Sequence, residues 1–110
     1  IMVSIDEPDE AILERLIREG NTKKEFKEIL NLDETVRGIC IMLPSNQTVI
    51  RLKRFHKKHD MIGVIVHEAF HATTFILERI GVKLGLSVSD EAYAYLIEFI
   101  TTEIYNKLEF

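Results

Sequence analysis

Apolar residues recur at helical spacing from early in the chain. Across residues 8–19, Ala11, Ile12 and Leu16, joined by Leu13 and Ile17, line one side of a 3.6-residue repeat. Gly20 follows as a stop signal, so the pattern predicts a short amphipathic helix. Thr22-Lys23-Lys24-Glu25 has the form of a capping box, in which hydroxyl and carboxylate satisfy free amides at a helix start. Phe26, Ile29 and Leu30 supply its apolar face, predicting a second short helix that ends near Asn31. At Gly38 the period changes. The apolar run 39–43 is closed by Pro44-Ser45-Asn46-Gln47, and residues 48–55 are rich in β-branched types, which together predict a β-hairpin.

Two long helices follow. Asp60 is placed to cap one over residues 61–80, and Gly81 to end it. Between Met61 and Ala72 only His67, Glu68 and His71 are strongly polar, so most of this helix's circumference is expected to be buried. Ser87 or Ser89 is placed to cap the last helix, residues 90–108, whose first half is again apolar nearly all round apart from Glu91 and Glu98. No repeat or linker interrupts the order. The expectation is one α+β, mainly helical domain: a helical segment 1–35, a hairpin 36–56, a central helix 60–80 and a final helix 89–108, with a small antiparallel sheet.

Composition narrows the classes. With 110 residues, 46% of them hydrophobic, and a net charge of −4, the chain has an ordinary globular balance, which argues against disorder and against a two-domain enzyme. A single cysteine, Cys40, makes no internal disulfide, and it reads as a small buried hydrophobe in a reducing, cytoplasmic setting. The apolar run from Met61 stops at His67 and Glu68, short of the roughly 20 residues that span a bilayer, so no membrane partner is expected. The first residues lack a basic segment followed by an apolar run, so no secretory signal is expected.

The chemistry concentrates in His67-Glu68-Ala69-Phe70-His71, a His-Glu-x-x-His pattern. On a helix, residues i and i+4 are neighbours about 5–6 Å apart at Cβ, so two imidazoles can converge on one metal ion. Glu68, one step round, would stand beside the ion and serve as a base. A catalytic zinc ordinarily takes three protein ligands. Glu78 lies seven residues beyond His71, about 10 Å along the same axis, and drops out. The last helix offers Glu91, Glu98 and Glu103. Glu91 and Glu98 are too far apart to serve one ion together, and Glu91 is preferred because it opens its helix after a short connection.

His67-Glu68-x-x-His71 followed by Asp90-Glu91-Ala92-Tyr93-Ala94-Tyr95 resembles the gluzincin arrangement of zinc peptidases, with an interval from His71 to Glu91 similar to that in thermolysin-like enzymes. Over about residues 38–105 the chain also looks like small His-Glu-x-x-His proteins of tailed bacteriophages and prophages. The resemblance implies a minimal zincin-like fold with one Zn2+ per chain held by His67, His71 and Glu91. It also implies Glu68 as general base, a peptide or protein substrate, and a bacterial cytoplasm as the setting. One position departs from the pattern: Tyr95 stands where such enzymes often carry an Asp that orients the first His. That role then passes to Asp90 or a backbone carbonyl, and Tyr95, with Tyr93 as rival, becomes a candidate donor to a developing oxyanion.

Other readings compete. The two histidines can instead be core residues hydrogen-bonded to Glu91 or Glu98 without metal. A zinc-stabilised interaction protein without catalysis is the principal alternative to a peptidase, since metal binding can supply much of a small domain's folding free energy. Arg51, Lys53, Arg54, Lys57 and Lys58 form a basic run, without which the net charge of −4 would be −9. Its plain reading is a solvated strand face. The resemblance implies a substrate platform in the strand 48–55, and Arg51 and Lys53 would then favour acidic substrate segments. The acidic balance and a lone Phe55 argue against a nucleic-acid partner. A homodimer remains open.

Overall fold

The computed structural model describes residues 1–21, 29–30, 32, 35–53 and 58–108. Three strands and three helices appear in the order β1 (Met2–Ile5), α1 (Asp9–Arg18), β2 (Gly38–Met42), β3 (Thr48–Leu52), α2 (Lys58–Arg79) and α3 (Asp90–Leu108). Helix outweighs strand, 53% against 15%, which makes the fold α+β and mainly helical, as expected. The second short helix expected over residues 22–31, with its Thr22/Glu25 capping box, lies largely outside the described residues.

Each helix end has a local cause. Asp9 and Glu10 open α1 and Arg15 and Arg18 close it, opposite in sign to the partial charges of the helix dipole. Gly20 then takes φ +94°, while Asn21 N–H donates to Leu16 and Gly20 N–H to Ile17. Gly81 repeats the motif after α2 at φ +87°, with Val82 donating to Leu77 and Gly81 to Glu78. Both are Schellman closures, in which glycine adopts the left-handed conformation cheaply. One expected cap is corrected. Helix α2 begins at Lys58, so Asp60 lies within its first turn. Ser89 does stand at the cap position of α3, its carbonyl accepting from Tyr93 N–H, while its hydroxyl turns to the preceding loop, accepting from Gly85 N–H and donating to the Lys83 carbonyl.

The sheet has the order β1-β3-β2. β2 and β3 pair antiparallel, with Cys40 opposite Ile50, and Asn46 at φ 71° completes the turn that joins them. The first strand corrects the expected helical segment 1–35: Met2–Ile5 adds parallel to β3, Met2 facing Val49 and Ile5 facing Leu52, so the sheet is mixed. Side chains alternate across it. One face presents Met2, Val49 and, partly buried, Ile39 and Ile41 to Ile12 and Leu16 of α1. The other presents Ile50, Leu52, Val3 and Cys40 to Met61, Ile65, Ala69 and Ala72 of α2 and Ile100, Ile104 and Leu108 of α3. The first two-thirds of α2 thus shares a core with the second half of α3, as in an antiparallel helical hairpin.

The helices are less covered than their apolar sequences suggest. Ile62, Val66 and Phe70 on α2, and Tyr95 and Phe99 on α3, are exposed. Burial follows what the sheet and the neighbouring helix can reach, and a three-stranded sheet reaches one side of each. The apolar stretch also extends beyond His67: Met61–Arg79 has a mean hydropathy of 1.2 over its best window and is long and apolar enough to cross a membrane by length and composition. The same helix supplies four buried residues of the core on the sheet, and a core helix passes that test as well.

Candidate functional site

One turn of α2 sets out the site. His67 Nε2 and His71 Nε2 stand 3.2 Å apart, with the rings edge to face at 73°. Two nitrogens bound to one tetrahedral ion at 2.0–2.1 Å would be separated by about 3.3 Å. The pair is therefore spaced as a chelate. Phe75, one turn further on, stacks against the His71 ring at a centroid distance of 6.5 Å, and Phe70 meets it edge-on. The carboxylate beside the pair is that of Glu68, 3.9 Å from His67 Nε2 and so beyond hydrogen-bond reach.

Glu68 is of a different kind. Only 5% exposed, it lies between α2 and the start of β2, with Oε1 3.9 Å from His67 Nε2. Burial holds its carboxyl above the usual carboxylate range, and His67 and His71 oppose that rise. The close fit depends on Gly38. A Cβ there would lie 2.9 Å from Leu52 Cδ2, 2.9 Å from Val64 Cγ1 and 3.2 Å from Glu68 Cγ, so only glycine lets the strand cross the helix at this depth. Cys40, two residues along on the same face, has its thiol pushed up to about 12 by burial and then by the Glu68 charge. It stays a neutral thiol, in keeping with a hydrophobic role.

A groove of about 420 Å³ opens in front of these groups, lined by Val36, Arg37, Gly38, Gly63, Val64, His67 and Glu68. Sequence reasoning missed Val36, Arg37 and Gly38 as its wall; the strand start at Gly38 was the available signal. The strand platform is corrected too. β3 is the central strand, paired on both sides, so residues 48–52 offer no free edge. Among the described residues, the open strand edge beside α2 is that of β2. Lys53 N–H donates to Arg37 and Leu43 N–H to Gln47, which sets the alternation of the ladder. The backbone groups of Gly38, Cys40 and Met42 consequently point outward.

The remaining expected residues are scattered. Glu91 is exposed on the first turn of α3. The Tyr93 hydroxyl donates to the Val82 carbonyl at 2.7 Å and Ser89 to that of Lys83, which ties the head of α3 to the loop beyond α2. His71 lies eight residues before Arg79, about 12 Å along the axis. Glu91 and Asp90 therefore stay with the loop. Among the described residues, no three His, Cys, Asp or Glu side chains are grouped to hold an ion. Tyr95 is 67% exposed, and the Tyr93 hydroxyl is occupied by Val82.

Arg51 is structural: its guanidinium pairs with Asp9 at 2.8 Å and donates to the carbonyls of Ile29 and Glu7. Lys53 lines a second cavity of about 200 Å³ together with Arg37, Arg51, Asp6 and Glu7, and the two cavities share Val36 and Arg37. Arg54 and Lys57, the rest of the basic run before α2, lie outside the described residues. Comparison of the chain with protein-family models, curated proteins and solved structures returns no match.

Proposed function

We propose that the chain is a zinc-dependent peptidase with its centre on α2. The supporting observation is the 3.2 Å approach of two Nε2 atoms beside a buried carboxyl, at the mouth of a groove walled by an open strand edge. The donor set fits zinc at two positions, His67 and His71. Bound there, the ion would supply Lewis-acid polarisation of a carbonyl and a lower pKa for water. An extended peptide lies along β2, hydrogen-bonded to the backbone of Gly38, Cys40 and Met42, as strands add to free edges. Glu68 takes a proton from the attacking water and returns it to the leaving amine. Burial raises its pKa, the direction that suits a group which both takes and returns a proton.

Metal analysis and cleavage test the reading together. Purified protein should carry close to one zinc per chain, and His67→Ala should lose it. Glu68→Gln should keep zinc and lose cleavage of a peptide library by at least about a hundredfold. Absence of zinc from the wild type refutes the reading, and equal cleavage by wild type and Glu68→Gln refutes the assigned base. A second reading is a metal-stabilised interaction protein without catalysis, since among the described residues no third His, Cys, Asp or Glu is grouped with the pair. Zinc binding with no cleavage by the wild type selects it.

A further inference from the structure

The histidine pair lies on the outer side of α2. At 100° per residue, His67 is about 160° and His71 about 120° round the helix from Ile65, which is fully buried in the core. The His67 side chain is 67% exposed. Phe70 and Phe75 meet the His71 ring, so the pair is set among apolar groups. From residue 62 to residue 77 the one charged residue is Glu68, which is buried. Along α2, a second molecule that reaches the pair therefore strips water from no exposed charge. Tetrahedral zinc takes four donors, and two imidazoles supply half of them. Among the described residues no third His, Cys, Asp or Glu is grouped with the pair. A second copy of the chain brings two more Nε2 atoms already set 3.2 Å apart, so once one of them binds, the other is held at high effective concentration.

We propose that two copies of this chain share one zinc ion when zinc is limiting, each contributing His67 and His71 to a two-fold dimer. The sharing rests on the reading of α2 as a zinc centre. Its charges balance: four neutral imidazoles leave the dication at +2, and two Glu68 carboxylates, each with Oε1 3.9 Å from His67 Nε2 of its own chain, offset it. His67 also lines the groove, so the second copy lies across the groove mouth and keeps an extended peptide from β2. The sharing pair is thus the resting form. With zinc in excess each copy takes an ion of its own, the groove is uncovered, and the peptide can enter.

Sedimentation equilibrium of the full, EDTA-stripped chain at about 50 µM, titrated with zinc sulfate and read together with bound zinc, tests it. The stripped protein should be a monomer. Half an equivalent of zinc should convert it to a dimer carrying one ion per two chains, EDTA should reverse the change, and excess zinc should return monomers with one ion each. His67→Ala and His71→Ala should each weaken zinc-dependent association at least about tenfold with unchanged circular dichroism. The titration of the wild type serves even if a variant unfolds. A dimer in EDTA overturns the proposal, because the metal does not hold it, and so does a dimer that carries one ion per chain. A zinc-loaded monomer at every ratio overturns the sharing and leaves the zinc reading standing. Failure to bind zinc at any ratio removes both.

Discussion

Glu68 and Cys40 share one side of the boundary between sheet and helix, and each is held toward its neutral form by burial. For Cys40 the sign of the pH effect is definite. The folded thiol ionises near 12 against an ordinary 9.0, so its contribution to stability is complete below about pH 9 and is lost as the pH climbs from there toward 12. The thiolate is the reactive species. At about pH 8.5, iodoacetamide should therefore alkylate the urea-unfolded chain at least about a hundredfold faster than the folded one. Equal rates would show that the thiol is not held in its neutral form. The residue-level reading from sequence reached His67, Glu68 and His71 because i, i+4 spacing is local and needs nothing from the rest of the fold. It missed the structural role of Arg51, whose partners Asp9, Glu7 and Ile29 come from distant parts of the chain.

At the scale of elements, the crossing of β2 over α2 is the contact that shapes the groove. Gly38→Ala should cost about 1–3 kcal/mol, read as a lower urea midpoint, because Leu52, Val64 and Glu68 crowd the added methyl from three sides. An unchanged midpoint would mean that the strand slides easily on the helix. Punctuation made much of this level legible. Gly20 and Gly81 both end helices, and Pro44-Ser45-Asn46 turns the hairpin. The strand Met2–Ile5 was not legible, since four residues carry little periodicity and its partner lies 47 positions away. The coverage of α2 and α3 was not legible either. A helix apolar on every side does not say which side its neighbours will choose.

For the whole molecule, the sheet and the helical hairpin form one slab, 43 × 34 × 22 Å, in which the histidine pair lies on the exposed flank of α2. Ions bound only by the folded form stabilise it by mass action. Zinc at a hundred times its dissociation constant should add about 2.7 kcal/mol, raising Tm by roughly 10 °C over the EDTA-treated protein. His71→Ala should show no rise, and a wild type whose Tm ignores zinc would remove the ion from the folding equilibrium. Third-ligand geometry belongs to this scale, which is why it escaped the sequence: it depends on how far beyond His71 the helix runs before α3 returns. Tyr93 and Ser89 hold that return at Val82 and Lys83.

The parallel pairing of β1 with β3 bears on how the chain reaches this state. Met2 meets Val49 across a 47-residue separation, whereas β2 and β3 are joined by a turn of five residues, 43–47. Closing the longer loop costs about 2 kcal/mol more conformational entropy, before any contact is gained. The hairpin and α2 can assemble from neighbouring sequence, but β1 gains nothing until β3 is in place. Docking of the first strand is then the last strand-pairing event, and the transition state for folding should contain the hairpin while the chain's opening residues are still unpaired.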